Sequence, residues 1–117
     1  MTLNQFKKIW ARLPQDSETK TYEPCDKDKF INIGGYLFAI QKNGNVIMKK
    51  CETDPRFSLL EVFRAFRAYL IKNEIQYIRI EGNPRRYNFL KKMFLHCSIL
   101  KDNRIKDRNV FYVKVFD

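Results

Sequence analysis

Residues 81–94 read EGNPRRYNFLKKMF and gather a carboxylate (Glu81), a tyrosine (Tyr87) and four cations (Arg85, Arg86, Lys91, Lys92) around one Asn-Pro step. Glu81 here, and Glu52 at the end of another apolar run, have the side chains to act as a general base if their pKa is raised; otherwise they are solvated strand ends. His96 is the single histidine and follows the same segment. It either relays a proton through a water or supplies positive charge at a helix C-terminus. Cys25, Cys51 and Cys97 form an odd set with no CxxC spacing, which disfavours a disulfide framework and a structural zinc site. They read as reduced core thiols, and no metal is expected.

The elements that must position these groups follow from periodicity. In TLNQFKKIWARLP, Thr2 and Gln5 stand at capping-box spacing and Leu3, Phe6, Trp10 and Leu13 recur on one side, so an amphipathic helix is expected up to Pro14. Residues 15–29 carry almost no large apolar side chains and read as an exposed connector. Two antiparallel strands are expected on either side of Asn43-Gly44, whose residue types tolerate the positive φ of a tight hairpin. Phe30–Ile33 is a candidate third strand, with Gly34-Gly35 as a bend or bulge. Ser58 and Glu61 form a second capping box ahead of a helix with Leu59, Val62, Phe63, Phe66, Tyr69 and Leu70 on one side and Arg64, Arg67 and Lys72 toward the other.

IQYIRIE alternates, placing Ile78 and Ile80 on one face of a strand and Tyr77, Arg79 and Glu81 on the opposite one. Pro84 then suits the first helical position with Asn83 as its cap, and Tyr87, Leu90, Met93 and Phe94 form the apolar stripe. The remaining residues read as a terminal hairpin with a long basic tip, KDNRIKDR. The expected order is helix, two or three strands, helix, strand, helix, two strands. The fold class is α+β: a single domain over 1–117 with a mixed, mostly antiparallel sheet flanked by helices, residues 1–29 forming the N-terminal helix and connector and 30–117 the core.

Composition sets the partners. The 117 residues hold 44% hydrophobic and 15% aromatic side chains, enough for one packed core. The formal net charge is +10, so an anionic macromolecule is an expected partner, through Arg64, Arg67, Arg79, Arg85, Arg86, Arg104, Lys106 and Arg108. Tyr77 and Tyr112 beside Arg79 and Lys114 would offer stacking surfaces for single-stranded bases. Sequence-specific readout has no motif to support it. No apolar run approaches the roughly 18 residues of a membrane span, no leader is visible, and a reducing cytoplasmic setting without membrane contact is expected.

The succession of antiparallel strands, capped helix, strand, Asn-initiated helix and final strand pair resembles the GNAT superfamily of N-acetyltransferases from about Phe30 to the C-terminus. NPRRYNFLKKMF is similar in spacing to that family's late helix. The resemblance implies an acyl-CoA, such as acetyl-CoA, lying in a splay between VIMKKCE and IQYIRIE, and an amine that attacks the acyl group directly. It places the pyrophosphate at TDPRFS, with Arg56, Phe57 and Ser58 as cofactor contacts, and the pantetheine arm against Asn83.

TDPRFSLL departs from the family's Q/R-x-x-G-x-G/A loop in having no glycine, so its backbone cannot readily take the positive φ of an amide cradle. Arg56 and the amides at the start of the Ser58 helix remain available for a phosphate. Leu90 stands where many members carry the tyrosine that protonates the departing thiolate, and Tyr87, one turn earlier, is the substitute. Glu81 is then the candidate base. Two functions follow: a small N-acyltransferase of weak or lost activity, or a GNAT-like scaffold without catalysis that binds nucleic acid or an acidic protein. A virus-encoded inhibitor of a nucleic-acid enzyme is a variant of the second.

Overall fold

The computed structural model describes residues 1–14, 22–52, 54–82, 84–94, 96–101 and 109–117, and for residues 82, 84–87, 89, 96–101 and 109 the backbone alone. Its elements are α1 (Leu3–Trp10), β1 (Lys29–Ile33), β2 (Tyr36–Ile40), β3 (Asn45–Lys50), α2 (Leu59–Lys72), β4 (Tyr77–Gly82), α3 (Pro84–Met93), β5 (His96–Lys101) and β6 (Asn109–Lys114). They build one α+β domain on a six-stranded sheet of order β1-β2-β3-β4-β6-β5. Every neighbouring pair is antiparallel except β3 and β4.

Both capping boxes form. Thr2 accepts from the Gln5 amide while the Gln5 side chain accepts from the Thr2 amide, and Ser58 and Glu61 do the same for α2. Each box satisfies amide donors that the first helical turn leaves without intrahelical partners. α1 ends at Trp10, earlier than the expected stop at Pro14, with Arg12 and Leu13 donating to Ile9 and Trp10 in tighter turns.

The two turns of the β1-β2-β3 meander differ from expectation. Gly34 and Gly35 both have positive φ and join Ile33 directly to its partner Tyr36, so they are a two-residue hairpin turn rather than a bulge. At Asn43-Gly44 only Gly44 has positive φ. The Gly44 amide donates to the Gln41 carbonyl, and the Asn43 side chain accepts from the Asn45 amide.

Two apolar layers result. On one face α2 and α3 cover Phe38, Ile40, Val46 and Met48 together with Ile78, Ile80, Phe111 and Val113. On the other α1 covers only the first three strands, through Phe6, Trp10, Phe30, Leu37, Ala39 and Ile47. Tyr22 joins this second layer, in edge contact with Trp10 and donating to Asp28 Oδ2 at 2.6 Å. The exposed connector expected over 15–29 is thus anchored at Tyr22; residues 15–21 lie outside the described part. No described helix is long and apolar enough to cross a membrane.

Candidate functional site

The sheet's one parallel joint is also its weakest. β3 and β4 are in register at only two positions, Asn45 with Arg79 and Val46 with Ile80, after which Ile47–Lys50 has no ladder to β4. The strands part toward their C-terminal ends, β3 leading to α2 and β4 to α3. The base of the fork is fixed at Gly44. A Cβ there would lie 2.7 Å from the Tyr77 carbonyl oxygen, so only glycine lets β4 approach this closely. The Arg79 amide donates to the Gly44 carbonyl, and its guanidinium donates to Asn45 Oδ1 at 2.9 Å and to Glu81 Oε1 at 2.9 Å. Arg79 therefore ties the two strands together below the opening.

The expected cofactor loop is folded against the β1-β2 turn. The Cys51 and Asp54 amides donate to the Gly35 and Gly34 carbonyls, and a Cβ on Gly34 would come within 2.9 Å of the Phe57 Cβ. Phe57 is otherwise largely exposed. Arg56 does not stand open to an anion: its Nη2 lies 2.7 Å from Asp54 Oδ2 and its Nε also donates to both carboxylate oxygens. Each partner holds the other charged, so Asp54 lies below the ordinary carboxylate range and Arg56 above its own usual value. Ser58 is engaged with Glu61, whose carboxylate occupies the helix start where a phosphate would bind. Sequence reasoning read the Ser58–Glu61 box but overlooked Asp54 beside Arg56, although the Asp-x-Arg spacing announces it.

The two candidate bases are separated. Glu81 is half-buried and bound to Arg79, whereas Glu52 is exposed in a cleft of about 550 Å³ with Arg12, Leu13, Asn32, Lys50 and Cys51 on the α1 side. Cys51 donates its thiol to the Gly35 carbonyl, and burial raises its pKa, which makes it a poor nucleophile. Leu90, at the tyrosine position of the resemblance, is a core residue at 1% exposure. Tyr87, Arg85 and Arg86 lie on α3, their side chains outside the description. Asn83, Arg104, Lys106 and Arg108 fall outside the described residues altogether. His96 is the first residue of β5, not a helix end. No group of three metal-ligating side chains occurs among the described residues.

The expected basic surface divides between two faces. Arg79 lies beside Tyr77 and Tyr112 on the sheet face that α1 leaves bare, where the tyrosines are 61% and 43% exposed. Arg64 and Arg67 line a cleft with Lys91 and Lys92 between α2 and α3. Arg67 departs from the solvated position expected of it, because its Nε is fully buried and has no hydrogen-bond partner among the described residues. The sequence matches no family model and no curated protein.

Proposed function

We propose that this chain is a GNAT-type acyl-CoA binder that transfers the acyl group to an amine, with catalysis resting on positioning. The observation that carries the reading is the β3–β4 fork, paired at two positions and then parted. Backbone edges freed from a ladder can hydrogen-bond the amides of an extended pantetheine arm as a neighbouring strand would. The amine nitrogen would attack the thioester carbonyl carbon, the C–S bond would break, and the thiolate would take up a proton while the amine gives one up. Held at the fork, the two reactants gain mainly from orientation. In this reading Asn83 meets the arm, Glu81 receives the amine proton once Arg79 turns aside, and Tyr87 supplies the thiolate's proton.

Arg56, Phe57 and Ser58 would meet the pyrophosphate only if the phosphates displace Asp54 from Arg56, an exchange of one anion for another. The test is the thermal midpoint with and without millimolar acetyl-CoA, since a ligand specific to the native state raises it. Asp54→Asn, which frees Arg56, should enlarge the rise. No shift in either protein would overturn the reading.

A second reading is favoured by the bare sheet face. Tyr77 pairs with Lys114 and Arg79 with Tyr112, so the two exposed rings are diagonal neighbours with a cation beside each. Such a surface suits stacked bases of single-stranded nucleic acid, with Arg85, Arg86, Arg104, Lys106 and Arg108 adding to the field by charge. Fluorescence anisotropy of a mixed-sequence oligonucleotide should show binding that weakens between about 50 and 200 mM salt. Loss of the effect in Tyr77→Ser with Tyr112→Ser would place it on this face. Absence of binding at low salt would end this reading and leave an acidic protein as the anionic partner.

A further inference from the structure

We propose that the cleft between α2 and α3 is a binding site for a compact oligophosphate. Arg64, Arg67, Lys91 and Lys92 converge on a space of about 710 Å³ whose remaining lining is Met93 and Phe94, so no carboxylate is among its described lining residues. That volume suits a small ligand of nucleotide size. Arg64 and Arg67 are three apart on α2 and therefore neighbours on its surface. Lys91 and Lys92 come from the last turn of α3, where the helix carbonyls favour positive charge.

Helix-end electrostatics accounts for the lysines but not for Arg67. A guanidinium whose Nε is buried without a partner among the described residues is costly for a fold to retain, since buried donors are otherwise nearly always matched. An anion in the cleft would offset part of that cost by charge, through the part of Arg67 that lines the cleft rather than through the inaccessible Nε. Cations from two helices lining one open cleft match the several charges of adjoining phosphates better than a single carboxylate, and arginine forks bind phosphate oxygens in pairs.

The site is set apart from the expected pyrophosphate contact at Ser58. Arg67 stands nine residues beyond Ser58, roughly 13 Å along the helix axis. It also lies on the opposite side of the sheet from Tyr77 and Tyr112, because α2 and α3 cover the face of Ile78 and Ile80. The proposal therefore rests on neither functional reading above.

Isothermal titration with sodium tripolyphosphate at about 50 mM salt tests it. One binding site is expected. Arg64→Gln, at an exposed position that the core does not use, and Arg67→Lys, which keeps the charge but removes Nε, should each weaken binding about tenfold or more. Lys72→Gln, exposed at the end of α2, should leave it unchanged. Absence of binding, affinity in the Arg64 and Arg67 variants equal to that of the unsubstituted protein, or binding of a mixed-sequence oligonucleotide without tripolyphosphate would overturn the proposal. If Arg64→Gln also abolishes a thermal shift by acetyl-CoA, the cleft is the acyl carrier's own phosphate site and the separate site is refuted. Survival of that shift while tripolyphosphate binding is lost supports the proposal whatever the fate of the acyltransferase reading.

Discussion

The first three strands and the last three share one sheet but differ both in sequence pattern and in surroundings: β2 reads YLFAI, apolar throughout, whereas β4 alternates as YIRIEG. β2 is buried on both faces: Phe38 and Ile40 lie under α2 and α3, and Leu37 and Ala39 under α1. β4 and β6 are fully buried on one face; on the other Val110 is buried, while no described helix covers Tyr77, Arg79, Tyr112 and Lys114. The difference teaches where stability and recognition are separated in this molecule. The closed half carries an additional aromatic layer, with Phe6 stacked on Phe30 at 4.3 Å and on Trp10 at 5.3 Å, while the open half presents its aromatics outward. The fork lies between the two, held by one short joint.

Four measurements sharpen this contrast. Phe6→Ala should cause the largest loss, about 3–5 kcal/mol, because a fully buried ring at the centre of the α1 layer leaves a cavity; chemical denaturation reads it directly. Gly44→Ala comes next. A residue at φ 88° with a carbonyl oxygen 2.7 Å from the new Cβ must give way, at about 1–3 kcal/mol. The effect should be local to the joint, seen as faster exchange of the Arg79 amide that donates to Gly44. Slow exchange there in the variant would show that β4 does not depend on the Gly44 contact.

A smaller effect should appear with pH. Burial, and then the hydrogen bond to Asp28, raise the Tyr22 pKa above its ordinary value of 10.0, so the folded state keeps a proton that the unfolded chain gives up. Stability from this group is complete below about pH 10 and falls as pH rises above it. Near-ultraviolet circular dichroism should report loosening of the α1 layer in alkali, and Tyr22→Phe should remove that part of the response. The smallest change belongs to the open half: Tyr77→Ser should shift stability by no more than about 0.5 kcal/mol, since the more exposed of the two rings buries little. A larger loss would mean that the bare face is part of the core after all.

Local features were legible because their causes are local. Ser58 with Glu61, Thr2 with Gln5, and Pro84 at a first helical position need only neighbours three or four residues away. The alternation of Ile78 and Ile80 against Tyr77, Arg79 and Glu81 needs only the two-residue period of a strand. Readings failed where a distant partner intervened. Tyr22 lies in a polar stretch yet is buried, because Phe6 and Trp10 come to meet it from α1. Arg67 fell on the polar side of α2 by count, but its Nε is buried and the residue lines the cleft between α2 and α3. Arg56 is a local case instead: Asp54, two residues before it, pairs with the guanidinium.

The amino-acid order by itself determined the helices, the alternating strands and the strongly basic balance, since each follows from side-chain period, capping chemistry or a sum of charges. Only the tertiary structure decided that β3 and β4 touch at Asn45 and Val46 and then separate, that no described helix covers Tyr77 and Tyr112 on one face of the sheet, and that four cations meet between α2 and α3. Those arrangements depend on contacts between residues far apart in the chain, which no local period records.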